Sequence, residues 1–255
     1  HYCFRGRRRG IAHGGVGADS TQKMYQVHQS CPDQVAKSHI QKPVLISNGY
    51  VKGHHNLLNW RLKIQMNLTG SRTEKNLLAA FAGESQARTR YSFFASVAKK
   101  EGYEQISTIF TETADNEREH AKLFFKYLEG GEAEIVASYP AGVIGTTAQN
   151  LLAAAEGEKL EWGTLYPDFA SVAREEGFPD IANTFFMVAK VEAHHELRYR
   201  KLLENVEKGM VFKKPLVITW KCRNCGHVAE GSGAPDECPV CSHAQAYFEV
   251  LCENY

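Results

Sequence analysis

Residues 91–120, "YSFFASVAKKEGYEQISTIFTETADNEREH", and residues 166–195, "YPDFASVAREEGFPDIANTFFMVAKVEAHH", are two copies of one pattern at an offset of 75. Thirteen of the thirty positions are identical and no gap is needed. Each copy reads as two helical runs meeting at a glycine, Gly102 in the first and Gly177 in the second. Two copies therefore demand four helices, and a fold in which one helical hairpin stands on another.

Periodicity places the first helix over about residues 71–100, opened by the capping-box pattern "SRTE". The second runs over about 104–128 and stops at Gly130-Gly131. Residues 131–146 make one long connection, and the third and fourth helices span about 147–175 and 180–207. Two hairpins joined by a single long crossover describe a ferritin-like four-helix bundle, and a mainly α fold class.

The repeat also carries chemistry. Glu117 and His120 lie at i and i+3, hence on one helix face, and Glu192 and His195 repeat them under the same offset. The first helix offers Glu84 among small apolar residues, and the third offers Glu158 and Glu161, again at i and i+3. A bundle that binds two metal ions takes one Glu from each of two helices and Glu-x-x-His from each of the others. Taken singly, a helical Glu is more often part of a solvated face, and a helical His more often a core or surface residue. Taken together, Glu84, Glu117, His120, Glu158, Glu192 and His195 fill that template, with Glu161 in surplus. Oxygen and imidazole ligands of this kind suit iron or manganese. Tyr91 follows Glu84 by seven residues on the same face, and Tyr166 is its repeat mate. Their hydroxyls are expected either to bond ligand carboxylates or to be those of ordinary core aromatics.

Near the other end stand Cys222-x-x-Cys225 and Cys238-x-x-Cys241, twelve residues apart. Two such pairs at this spacing predict one tetrahedral four-thiolate site. Zinc and iron both accept four thiolates, and the spacing does not choose between them. His227 and His243 are expected as exposed loop residues, Cys252 as structural, and residues 209–219 as a linker into a module over 220–255.

Charge divides the chain. Residues 1–66 hold 10 Lys and Arg against 2 Asp and Glu, and the remainder holds 20 against 27. Net charge is +1, so there is no electrostatic case for nucleic acid or membrane partners. No apolar run approaches the roughly 18 residues of a membrane span. The basic stretch before Met66 shows no sustained period, and Cys3 and Cys31 show no pairing pattern. We read it as non-native or upstream sequence with the start at Met66, an organelle transit peptide being the alternative. Paired cysteines of the metal-binding type favour a reducing compartment, so the expected location is the cytoplasm, or an organelle if the leader is a transit peptide.

From residue 67 onward the chain closely resembles the rubrerythrins. "FAGESQARTRY", "DNEREHAKLFF", "GEKLEWGTLYP", "VEAHHELRY" and "CRNCGHV…CPVC" are similar to that family's motifs in that family's order. The resemblance implies a ferritin-like di-iron domain followed by a rubredoxin-like Fe(Cys)4 domain. It implies a peroxidase that reduces hydrogen peroxide to water, with electrons from an external donor such as rubredoxin or an NAD(P)H-dependent reductase. It implies a homodimer in which one chain's rubredoxin-like module approaches the other's di-iron site. It further implies that His120 and Glu161 exchange as ligands of one iron when the oxidation state changes. Two other readings stand beside this one: an iron-oxidising or iron-storage protein, and a non-enzymatic metal-binding protein with a zinc ribbon.

Overall fold

The computed structural model describes residues 67–253, and the readings made for residues 1–66 lie outside them. Helix α1 spans Arg72–Lys100 and α2 spans Glu104–Phe125. After a coil over 131–146 come α3, Thr147–Leu160, a π turn over Glu161–Leu165, and α4, Tyr166–Glu175. Helix α5 spans Pro179–Glu207. Three antiparallel strands follow, β1 Lys213–Cys222, β2 Val228–Gly233 and β3 Phe248–Val250, in the order β2-β1-β3. The expected third helix is therefore α3 and α4 joined through a π turn. Residues 213–219, expected in a linker, are instead the first part of β1, which Val228–Gly233 and Phe248–Val250 pair on either side.

The ends of the helices follow from local chemistry. Ser71 Oγ accepts the Glu74 amide at 3.0 Å, but the Glu74 carboxylate reaches past Ser71 to the Gly70 amide at 2.6 Å. Thr146 and Gln149 close a full reciprocal capping box at the start of α3. Gly102 and Gly177 end α1 and α4 with φ of 83° and 78°, a left-handed turn that side-chain-bearing residues resist. In both places the third residue past the helix bonds back: Tyr103 N to Ala98 O at 2.9 Å, Phe178 N to Ala173 O at 2.7 Å. The repeat is thus a repeat of turn geometry as well as of sequence.

Helix α1 packs along α2, and α3 and α4 pack along α5. The bundle core comes in two apolar clusters. One holds the ring trio Tyr91, Phe110 and Tyr199, with centroids 5.1–6.1 Å apart. The other holds its counterpart under the 75-residue offset, Tyr166, Phe185 and Phe124, at 4.9–5.9 Å. Each long helical run of the bundle, α1, α2, α3 with α4, and α5, passes from one cluster to the other through buried polar residues: Glu84 on α1, Glu117 and His120 on α2, Glu158 on α3, Glu192 and His195 on α5. The bundle is therefore an apolar–polar–apolar sandwich along its axis. Carboxylates in such a layer cost several kcal/mol each unless paired or bound to cations.

The C-terminal module has a small core of Trp220, Ala234, Phe248, Cys222 and Cys238. Trp220 is fully buried and its indole N–H donates to Gly231 O at 3.0 Å. The module touches the end of the bundle, where Tyr103 stacks on Phe212 and Arg223 Nη2 donates to Thr108 Oγ1 at 2.9 Å. Cys252 is exposed in the tail after β3, so it does not pack as the structural residue expected.

Candidate metal centres

The polar layer gathers six side chains from four helices into two overlapping groups. Glu84, Glu117, His120 and Glu192 bring ligand atoms within 4.8 Å of one another, and so do Glu117, Glu158, Glu192 and His195. Glu117 and Glu192 belong to both. His120 Nδ1 lies 3.0 Å from Glu117 Oε2 and 2.8 Å from Glu192 Oε1. His195 Nδ1 lies 3.3 Å from Glu117 Oε1 and 2.8 Å from Glu192 Oε2. Each shared carboxylate thus turns one oxygen to each histidine.

Short distances here are mostly not hydrogen bonds. Glu84 Oε2, Glu117 Oε1, Glu158 Oε2, both oxygens of Glu192 and His195 Nδ1 are buried with no hydrogen-bond partner. Each orphaned atom leaves its desolvation uncompensated, a cost that a bound cation would offset. The donor set, carboxylate oxygen and imidazole nitrogen converging on two points that share two carboxylates, fits a pair of divalent ions.

The phenols set the outer carboxylates. Tyr91 hydroxyl donates to Glu158 Oε1 at 2.5 Å, and Tyr166 hydroxyl donates to Glu84 Oε1. In both glutamates the other oxygen, Oε2, is the one left without a partner. Each tyrosine therefore clamps one oxygen and turns its fellow inward. Tyr91 shares a face with Glu84, yet it serves Glu158 on the other hairpin. Seven residues of helix rise about 10.5 Å, too far for a phenol to reach back to its own helix's glutamate.

Charges in the layer follow its burial. Burial, then the charge of Glu192, pushes the Glu84 carboxyl well above its usual range. Burial, then Glu117 and Glu192, does the same to Glu158. Burial alone would raise Glu117 too, but the facing His120 and His195, with Nδ1 at 3.0 and 3.3 Å from its two oxygens, bring it down to about 2. Burial opposes charge on His195, yet Glu117 and Glu192 raise it to about 9, and His120 is raised by Glu117, Glu192 and Glu84. Without metal, protons hold this layer together.

Glu161 stands apart from both groups. It begins the π turn, is half-buried, and lines a cavity of about 440 Å³ with Arg90 and Tyr166. Desolvation first, then Glu192 and Glu117, raises its carboxyl well above the usual range. The structure therefore holds His120 with the clustered ligands and Glu161 outside them.

In the C-terminal module Cys222, Cys225, Cys238 and Cys241 form the third group. Their sulfurs lie 3.8 Å apart for Cys222–Cys241 and 3.6 Å for Cys225–Cys238, much longer than any disulfide. A tetrahedron with metal–sulfur bonds of about 2.3 Å has edges of about 3.8 Å, so the set fits one four-thiolate ion. Two matching knuckles build it. Gly226 N bonds Cys222 O and Cys222 N bonds His227 O; Ser242 N bonds Cys238 O and Cys238 N bonds His243 O. Both knuckles need positive φ after the second cysteine, 79° at Gly226 and 54° at Ser242. His227 and His243 are half-buried rather than exposed, His243 with its ring edge on Tyr247 and Nδ1 3.0 Å from Cys241 O.

Among the described residues no helix is long and apolar enough to cross a membrane. A family model described as rubrerythrin matches residues 75–203, and one described as the rubrerythrin rubredoxin-like domain matches 220–249. The rubrerythrin of Porphyromonas gingivalis is 62% identical over 195 residues, covering 76% of this chain and 98% of that protein. The rubrerythrin of Nitratidesulfovibrio vulgaris is 55% identical over 188 residues, covering 74% and 98%. A solved nigerythrin in a mixed-valence state is 30% identical, covers 72% of this chain and 88% of that one, and superposes with a TM-score of 0.48. With a ferritin-like di-iron site between two apolar clusters and a rubredoxin-like four-cysteine cluster behind it, this chain belongs to the rubrerythrin family.

Proposed function

We propose that this protein is a non-haem peroxidase that reduces hydrogen peroxide to water. The observation that carries the reading is the pairing, in one chain, of a two-ion carboxylate–histidine layer with a four-thiolate cluster. Reduction of peroxide needs two electrons, and a storage or hydrolytic site has no use for a built-in thiolate shuttle. Glu84, Glu117, His120 and Glu192 would hold one iron, and Glu117, Glu158, Glu192 and His195 the other. Glu161 would replace His120 in the other oxidation state, as the family resemblance implies. When bound, an iron pair supplies one electron per ion and Lewis acidity toward the peroxide oxygens.

The chain's own groups do the rest. Glu117 and Glu192 span both positions and fix their separation. Tyr91 and Tyr166 hold Glu158 and Glu84 so that neither can turn both oxygens inward. The two aromatic trios close the layer from above and below and keep water out. Glu161, at the wall of the cavity, is the group placed to carry protons to the departing oxygens. Electrons enter at Cys222, Cys225, Cys238 and Cys241 from an external donor, rubredoxin or an NAD(P)H-dependent reductase. The working unit is a homodimer in the cytoplasm, and apolar residues on the outer face of α5, Phe186, Met187 and Leu197, are about half exposed and free to meet a second copy.

The test is to reduce the iron-loaded chain without oxygen, then mix it with one equivalent of hydrogen peroxide or of dioxygen. Visible absorption follows both centres. Oxidation that is fast with peroxide, slow with dioxygen, and reversed through the thiolate iron is expected. Preferential use of dioxygen with ferric mineral accumulating would make the protein an iron oxidase instead. A thiolate site that stays colourless would remove the electron-entry half of the proposal.

A further inference from the structure

The cavity beside Glu161 is far larger than hydrogen peroxide requires. It holds about 440 Å³, whereas a water takes about 30 Å³ and a peroxide roughly twice that. This volume is in the range of pockets that enclose small organic ligands. Its walls are largely apolar, with Ala79, Gly83 and Phe169 from the helices and Val136 and Tyr139 from the crossover. The crossover is tied down rather than loosely draped. Tyr139 hydroxyl donates to Ala79 O at 2.7 Å, and its ring sits over Gly83, where an added Cβ would be 3.5 Å away. The inner wall is the one that leads to the polar layer, since Glu161 and the Tyr166 that clamps Glu84 both line it. Arg90 lines it too.

We infer that this cavity admits small apolar organic hydroperoxides, so that the site reduces them as well as hydrogen peroxide. The inference rests on the peroxidase reading. The chemistry is unchanged: the O–O bond breaks and the reduced metal pair supplies two electrons. Two protons are taken up, and the products are the alcohol and water. The organic group lies against Ala79, Gly83 and Phe169, with the hydroperoxide oxygens toward Glu161.

The probes are cumene hydroperoxide for turnover and 2-phenyl-2-propanol, its alcohol product, for binding. The reduced full chain is mixed with cumene hydroperoxide and, separately, with hydrogen peroxide. The oxidised chain is titrated with the alcohol by calorimetry, which needs no activity. Rates with the two oxidants within tenfold of each other, and saturable alcohol binding at about 1 mM or tighter, are expected. Ala79→Phe, which fills the cavity, should weaken alcohol binding at least tenfold and lower the ratio of the two rates by as much. Val136→Trp, on the exposed crossover, should act in the same direction if Ala79→Phe fails to fold. Fast oxidation by hydrogen peroxide with no reaction from cumene hydroperoxide would overturn the inference and leave the peroxidase standing. Reaction with neither would overturn the peroxidase itself. Equal use of cumene hydroperoxide by unaltered and filled proteins would place the organic substrate elsewhere and sink the inference.

Discussion

Removing metal should turn the bundle into a protein whose stability falls as pH rises. His195 is nearly fully buried, with its side chain 3% exposed, and Glu117 and Glu192 raise it from 6.5 to about 9. A group whose folded pKa is raised binds protons more tightly when folded. Its contribution is complete below 6.5 and disappears as pH climbs to about 9. That rise corresponds to about 3 kcal/mol. His120 is raised as well, and Glu84, Glu158 and Glu161 are raised by burial, so all four add loss in the same direction. Glu117 works the other way, but its window lies between about 2 and 4.5, below this range. For a domain of 150–250 residues each kcal/mol moves Tm by about 2–4 °C, so the His195 share alone should make metal-free protein melt at least about 6–12 °C lower at pH 9 than at pH 6.5. The assay is thermal unfolding of the chelated chain, read by helical circular dichroism at several pH values. In loaded protein a metal ion replaces the proton on His195 Nδ1, so the slope should vanish or reverse. His195→Gln should remove about 3 kcal/mol of the metal-free slope. A metal-free Tm that is flat or rises over this range would refute the reasoning.

Tyr91→Phe or Tyr166→Phe leaves a buried carboxylate oxygen without its donor, which should cost about 1–3 kcal/mol and shift the visible spectrum or potential of the loaded site. An unchanged spectrum and Tm would make these rings core packing only. Ser242→Gly should raise the melting point of the C-terminal module, by about 1 kcal/mol in stability, because Ser242 holds a left-handed φ of 54° while Gly226 does the same job freely. Its amide bond to Cys238 O uses the backbone and survives the change. Deleting Gly163, which is exposed with open space at its Cα, should convert the π turn to plain helix, leave Tm within a few degrees, and yet abolish whatever depends on Glu161. A crystal structure of that variant with the π turn intact would contradict this.

The six clustered residues of the polar layer were legible because the repeat makes them so. One offset relates Glu117 to Glu192 and His120 to His195, and it also relates the two aromatic trios and the two glycine turns. What sequence reasoning passed over is a break in that symmetry. Glu84 and Glu158 differ by 74, while Tyr91 and Tyr166 differ by 75. Counted along the chain, Glu84 precedes its tyrosine by seven residues and Glu158 precedes its own by eight. One residue has been inserted between them, inside a helix that must keep both ends in register with the same neighbours. The π turn over Glu161–Leu165 absorbs it. The matched segment 166–195 begins just after the insertion, so a gapless comparison never meets it. The count of seven against eight would have exposed it. The consequence reaches the chemistry. Were the helix regular, Glu161 would follow Glu158 at i+3, on the same face and among the clustered ligands. The extra residue begins at Glu161 itself, and the structure finds this glutamate out at the cavity wall while its fellow stays buried with the histidines. The surplus carboxylate and the surplus backbone residue are thus one feature. A regular four-helix bundle would hold Glu161 with the six clustered ligands, and the inserted residue lets this seventh carboxylate stand apart from them.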